Sequence, residues 1–313
     1  MIDKRGIEMS FAWLFAIIVG AIILFIAIYA AISFMNSGQG EVNTGTAKEI
    51  SILLNPLETG AEIGVASSFA LPLETRIYNN CNSQKGIFGM QGLSVSEKSF
   101  RKWTAPGLNL EFPNQYIFSD KYTEGKKFYL FAKPFGLPFK VANVVYLTSK
   151  NYCFYNVPEE IESELEPMSQ ENIKIEENCP ENSINVCFGS VITSDIECEI
   201  KVMYNDGEGY VEKDNEILYF AGDSLMYGAI FSDKNTYECQ LKRLMKKTEQ
   251  LTLLYIEKAN FVSQRGCNSN LDAELIILNS MAKNLEKSDE ISQLTPVVEN
   301  IQYKNEDAEC RLF

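Results

Sequence analysis

Residues 139–149 read FKVANVVYLTS. The run is dense in β-branched and aromatic residues and is set between Pro138 and Asn151, which is how a strand reads. Upstream, FALPLETRIY (69–78), GLSVSE (92–97), LNLEF (108–112), QYIFS (115–119) and KKFYLFAK (126–133) have the same character. Downstream, NYCFYN (151–156), NIKIEE (172–177), NSINVCFG (182–189), IECEIKVMY (196–204), GYVEKD (209–214) and EILYFA (216–221) continue it. Gly, Pro and Asn separate these runs, so antiparallel β structure is expected. Asn205-Asp206-Gly207 is a hairpin turn rather than a calcium loop, because the spaced acids of an EF-hand are missing.

The pattern changes on both sides of this region. Residues 41–66 carry Val42, Thr46, Ile50, Leu53, Leu54, Leu57, Ala61 and Gly64 at helical steps, with Pro56 expected to kink the helix. From Asp223 onward, Tyr237, Leu241, Leu244, Thr248, Leu251, Tyr255, Ala259 and Val262 recur at steps of three and four. Arg265-Gly266-Cys267-Asn268 interrupts them, and Leu271, Leu275, Leu278, Ala282 and Leu285 resume. Ile291, Leu294, Val298 and Ile301 follow Ser288, which suits a cap. This predicts a helical hairpin with a third, shorter segment. Lys242, Arg243, Lys246 and Lys247 read as a basic, solvated turn of that hairpin. Glu159, Glu160, Glu162, Glu164, Glu166, Glu171, Glu176 and Glu177 form an acidic run, expected as a solvated helix or linker.

The eight cysteines are Cys81, Cys153, Cys179, Cys187, Cys198, Cys239, Cys267 and Cys310. No C-x-x-C pair is present, so a zinc ribbon or thioredoxin-type site is not expected. An even count downstream of an apolar segment reads as disulfides in an oxidising compartment. Five cysteines precede residue 222 and three follow it, so full pairing requires a bridge between the β region and the helical region. Cys239–Cys310 is the expected pair within the helices, with Cys267 bridging to the β region.

From Met9 to Met35 no residue carries a formal charge. A helix needs about 20 residues to cross the hydrocarbon, whereas a cleaved secretory signal has a shorter core. Lys4 and Arg5 precede the run, and no positive charge follows until Lys48. The positive-inside rule therefore puts the N-terminus in the cytoplasm and residues 36–313 outside. Lys4-Arg5-Gly6 followed by Ile7-Glu8 resembles the class III signal peptide of archaeal and bacterial type IV pilin-like proteins. The resemblance covers about residues 1–35. It implies cleavage between Gly6 and Ile7 by a prepilin-peptidase-like enzyme, with the apolar helix kept for packing among subunits. Two features depart from the bacterial pattern. The acid is the second residue after the cut rather than the fifth, and Ser37-Gly38-Gln39-Gly40 interrupts the helix. The other reading is an uncleaved signal anchor in which Lys4 and Arg5 only set topology.

The expected architecture is thus α+β: an N-terminal transmembrane helix, an antiparallel β-rich ectodomain and a C-terminal helical hairpin or bundle. It begins with a cytoplasmic leader (1–6), the membrane helix (7–35) and a linker with an amphipathic helix (36–67). A first β-rich portion (68–157), an acidic linker (158–170), a second β-rich portion (171–221) and the helical region (222–313) follow.

Composition narrows function. The net charge of −14 argues against nucleic acid, whose phosphates need clustered Lys and Arg. Histidine is absent, which excludes His-dependent triads and His-ligated zinc. No P-loop, G-x-S-x-G or G-x-G-x-x-G occurs. Ser94, Ser96, Lys98 and Ser99 are the nearest approach to a Ser/Lys cluster and read as ordinary residues near a strand end. Lys98, Arg101, Lys102 and Trp103 form a small basic aromatic patch. No catalytic, cofactor or metal residues are expected. The expected function is a membrane-anchored extracytoplasmic surface protein, pilin-like and structural or adhesive. The alternative is a signal-anchored ectodomain that binds a ligand or supports an envelope complex. The bilayer, a processing peptidase and a homo-oligomer or envelope protein are the expected partners.

Overall fold

The computed structural model describes residues 15–30, 43–50, 65–176, 179–189 and 197–313. The fold is mixed α+β, with two sheets and a set of helices. The leader residues Lys4–Glu8, the Ser37–Gly40 break and the expected helix around Pro56 lie outside the described residues. Residues 15–30 are helical, and among the described residues no helix is long and apolar enough to cross a membrane. The expected span 7–35 extends beyond this segment at both ends.

The first sheet contains β1 (Val65–Asn82), β2 (Met90–Ser99), β3 (Lys102–Trp103), β4 (Leu110–Phe112), β5 (Ile117–Phe118), β6 (Tyr122–Gly136) and β7 (Lys140–Thr148). Its order is β3-β2-β1-β6-β7-β5, with β4 also paired to β2. The sheet curls until β5 lies back beside β1 and β2. Asn79 Nδ2 donates to Ile117 O (2.8 Å), and Ile117 N donates to Gln91 Oε1 (3.3 Å). The curl encloses a core that includes Ile77, Leu93, Val95, Phe128, Leu130, Val145 and Leu147. The helical segment 43–50 packs Ala47 and Ile50 onto this core. Residues 139–149 contain the whole of β7, which is buried on both faces. Val145 and Leu147 lie in this core, while Val144 and Tyr146 join the larger one. A strand between two cores reads as continuously apolar rather than alternating.

The second sheet contains β8 (Tyr152–Tyr155), β9 (Ile173–Ile175), β10 (Ile184–Phe188), β11 (Ile200–Asn205), β12 (Glu208–Lys213) and β13 (Glu216–Ala221), in the order β13-β12-β11-β10-β8-β9. The β11–β12 hairpin turns at Asp206 and Gly207, both with positive φ (49° and 80°). The expectation of purely antiparallel pairing fails here. β8 pairs parallel with both β9 and β10, β10 pairs parallel with β11, and in the first sheet β5 pairs parallel with β7. Strand periodicity carries no direction, and direction follows from the connections. The connection from β8 to β9 is helix α1 (Glu159–Met168), which lies within the acidic run expected as a linker. Its glutamates ride on a helix whose Ile161 and Leu165 enter the main core.

Helix α2 (Asp223–Phe231) is buried from Ser224 to Phe231. It lies among Phe131, Tyr146 and Tyr152, with ring centroids of Phe131 and Tyr146 4.3 Å apart. Gly228 is required there, because a Cβ would fall 2.7 Å from the Phe118 ring. Helix α3 (Lys234–Gln264) starts at Asp233, whose carboxylate accepts from Asn235 N and Thr236 N. Helix α4 (Asp272–Asn284), a 3₁₀ turn (Ser288–Gln293) and α5 (Thr295–Asp307) complete the chain. The expected hairpin with a third segment is present. The basic turn expected to be solvated is not. Arg243 is fully buried, Lys242 pairs with Glu286 (2.7 Å), and Lys246 donates to Ser83 O (2.6 Å).

Candidate functional site

Strand β1 alternates in the manner of all strands. Thr75, Ile77 and Asn79 face inward and are buried. Glu74, Arg76, Tyr78, Asn80 and Asn82 therefore share the outer face. Antiparallel register places Arg76 between Ser96 and Glu124, Tyr78 between Ser94 and Tyr122, and Asn80 opposite Gly92. β3 adds Trp103 opposite Lys98.

The result is a ladder of rings and charges. The Arg76 guanidinium lies 4.3 Å from the Trp103 ring centre and 4.7 Å from that of Tyr122. Its Nε and Nη2 donate to Glu124 Oε2 at 3.0 and 2.7 Å. Hydrogen bonding to Tyr78 and to Glu124 raises its pKa above the ordinary arginine value. Lys98 pairs with Glu74 (2.8 Å) and lies 5.5 Å from the Trp103 ring centre. Of the expected basic patch, Lys98 and Trp103 are thus brought together. Their partner Arg76 was missed, although E-T-R-I-Y-N-N-C-N (74–82) shows polar or aromatic residues at every second position. Ser96 is fully buried and Lys98 is engaged by Glu74, so no Ser/Lys pair forms.

The same outer face runs into a polar cleft of about 370 Å³. Asn80, Asn82, Gly92, Asn109 and Glu111 form one side, and Asp233, Asn235 and Thr236 from the start of α3 form the other. Asn80 Nδ2 donates to Asn109 Oδ1 (2.8 Å) and Ser94 Oγ (3.2 Å). Gly92 gives the floor its depth, since a Cβ there would lie 2.6 Å from the Asn109 amide. The Cys81–Cys239 bridge, with Cα atoms 6.1 Å apart, ties the two sides together. Beneath it, Gln91 Nε2 donates to Asn79 Oδ1 (2.7 Å), and Gln240 Nε2 donates to Gln91 Oε1 (2.5 Å) and Ile117 O (2.9 Å).

A second cluster joins the two sheets. Lys133 Nζ reaches Glu164 Oε2 (2.6 Å) and Asp223 Oδ2 (3.4 Å), and Tyr204 OH donates to Asp223 Oδ1 (3.0 Å). Burial and these carboxylates push the Tyr204 and Tyr227 phenols up, which keeps them as donors. Lys133 and both acids are paired within the cluster, so it acts as a latch. Lys213 is a further enclosed cation. Burial lowers its pKa to about 8, and its ammonium donates to Ile230 O (2.9 Å) and Ser232 O at the end of α2. Among the described residues, no group of three or more Cys, Asp or Glu is placed to hold a metal ion.

All eight cysteines are paired: Cys81–Cys239, Cys153–Cys179, Cys187–Cys198 and Cys267–Cys310. One bridge does tie the β region to the helices, but it uses Cys239 rather than Cys267. The expected pair Cys239–Cys310 is not formed. The chain reverses a second time after α4, which carries Cys310 back to the far end of α3 beside Cys267. Lys258 Nζ, on the distal half of α3, donates to Leu312 O.

No family model, curated protein or solved structure matches the chain.

Proposed function

We propose that the protein is a membrane-anchored extracytoplasmic surface protein, a type IV pilin-like structural or adhesive subunit that acts without catalysis. Residues 7–35 are its anchor, the N-terminus is cytoplasmic, and residues 36–313 lie outside. One observation carries this reading. The helical segment 15–30 has no charged residue, and its apolar side chains are exposed around the helix: Phe15 61%, Ile22 53%, Phe25 71% and Tyr29 67%. Those four share one face, and Ile17 (52%), Ile23 (62%) and Leu24 (62%) expose the others, so the helix is apolar on all sides and requires lipid or other apolar helices around it. The four disulfides support an oxidising compartment.

Fractionation and intact-mass measurement of native protein test the proposal. The expected result is a carbonate-resistant membrane protein whose chain begins at Ile7. Recovery in the soluble cytoplasm would sink it. A membrane-bound chain that retains Lys4-Arg5-Gly6 would establish the alternative, an uncleaved signal-anchored ectodomain. Glu8's place, second after the cut, favours that alternative. The same sample analysed for cross-links between helices 7–35 tests self-assembly.

A further inference from the structure

We infer that the outer face of β1 and the cleft at its end form a binding site for a neutral oligosaccharide. This deepens the adhesive half of the proposed function and rests on it. The cleft brings the side-chain amides of Asn80, Asn82, Asn109 and Asn235 around about 370 Å³, within the usual range of ligand pockets. Asn80 Nδ2 is taken up by Asn109 Oδ1 and Ser94 Oγ, and Asn82 Oδ1 accepts from Gln84 N, so the Asn80 carbonyl oxygen and the amide NH2 groups of Asn82, Asn109 and Asn235 are the groups offered to hydroxyls, which both donate and accept. The Asn80–Asn109 bond and the bridge beneath it fix the amides before a ligand arrives. Two residues along β1, about 7 Å away, the same face presents Tyr78 and then the Arg76 stack with Tyr122, whose ring residue is 46% exposed. Amides for hydroxyls beside ring faces for the apolar side of a sugar are the two elements such recognition needs.

Other ligand classes fit less well. Lys121 is offset by Glu111 and Asp233 around the cleft, so nothing there selects an anion. An added peptide strand needs an open sheet edge. At Gln91–Leu93 the strand β2 is already paired on both sides, to β1 and to β4.

The test applies the full chain in detergent micelles to an array of neutral, sialylated and sulfated oligosaccharides, then titrates the strongest neutral binder by calorimetry. Asn80→Ala, Asn235→Ala and Tyr122→Ala should each weaken binding by about 3- to 10-fold. Asn80→Asp should weaken it too, because the carboxylate no longer donates to Asn109 Oδ1 and so no longer fixes that amide. Ile276→Ala, on exposed α4, should leave it unchanged. Unreduced mass and thermal midpoint confirm that each variant is folded. The inference is overturned if no neutral oligosaccharide binds, if only acidic ones do, or if the Asn80→Ala/Asn235→Ala double variant binds as the parent does. Localisation and the N-terminal mass are read separately, so loss of glycan binding leaves the anchored reading standing, and a soluble location removes that reading without touching the affinity.

Discussion

Cys81 of β1 is bonded to Cys239 of α3 across 158 residues of chain, and the pair is the covalent tie between the first sheet and the C-terminal helices. A cross-link that closes so long a loop restricts the unfolded chain strongly, by about 5 kcal/mol as a ceiling in the chain-entropy account. Replacing both cysteines by serine should lower the urea midpoint markedly while the remaining three bridges still form. An unchanged midpoint would show that the bridge contributes nothing beyond the Gln240–Gln91 contact beside it.

Arg243 should resist every replacement, lysine included. Its guanidinium donates to Gln115 O (2.7 Å), Gln240 Oε1 (2.7 Å), Pro113 O (3.0 Å) and Phe88 O (3.2 Å), and it stacks on Tyr116 with its centre 4.6 Å from the ring. A lysine ammonium cannot serve four acceptors spread around a plane. Arg243→Met should cost about 3–5 kcal/mol and Arg243→Lys a smaller but clear amount. Thermal unfolding followed by far-UV dichroism decides the order.

Gly228→Ala pits helix propensity against space. Alanine is favoured over glycine in a helix by about 1 kcal/mol, but the new methyl would meet the Phe118 ring at 2.7 Å, and overpacking a tight core costs about 1–3 kcal/mol. The variant should be less stable than the parent, and Phe118→Leu in the same chain should recover some of the loss. A Gly228→Ala chain as stable as the parent would mean that this contact relaxes freely.

Lys213 should make stability rise with pH. Its folded pKa, about 8, lies below the ordinary 10.5, so between these values the unfolded chain binds the extra proton. Deprotonation then favours the folded state as pH climbs through that window. The buried phenols of Tyr146, Tyr227 and Tyr237 have raised pKa values and act oppositely, losing stability as pH passes the ordinary tyrosine value. Urea midpoints at pH 7.5 and 9.5 should therefore move up less in Lys213→Met than in the parent. Equal shifts in the two chains would contradict the assignment.

Strand content was legible where residues are β-branched and aromatic, as at 139–149, and the C-terminal helices were legible from their apolar spacing. Cysteine parity correctly required one bridge from the β region to the helices. Direction and closure were not legible. Whether β8 and β9 run parallel depends on a crossover whose glutamates look like a linker, while only Ile161 and Leu165 report its buried side. Arg243 sits among lysines in sequence, and nothing local says that four acceptors from 88 to 240 converge on it. The outer face of β1 was hidden for the same reason: Trp103, Tyr122 and Glu124 reach Arg76 only through strand pairing.

The helical segment 43–50 has a mechanical consequence. Asn43 Nδ2 donates to Thr104 Oγ1 (3.0 Å) and Ala105 O (2.9 Å), and Leu108 N donates to Thr44 Oγ1 (3.1 Å). If residues 7–35 are held and a ligand pulls at the cleft, tension enters at residue 43 and crosses these bonds to the 104–108 loop. It then runs along the chain from Leu108 to Asn109 and across the Asn80–Asn109 hydrogen bond to β1. The second sheet and the distal helices lie off that route. A molecule pulled between its anchor and its cleft would therefore yield first at the seat of 43–50, and Cys81–Cys239 would stop the unravelling of β1.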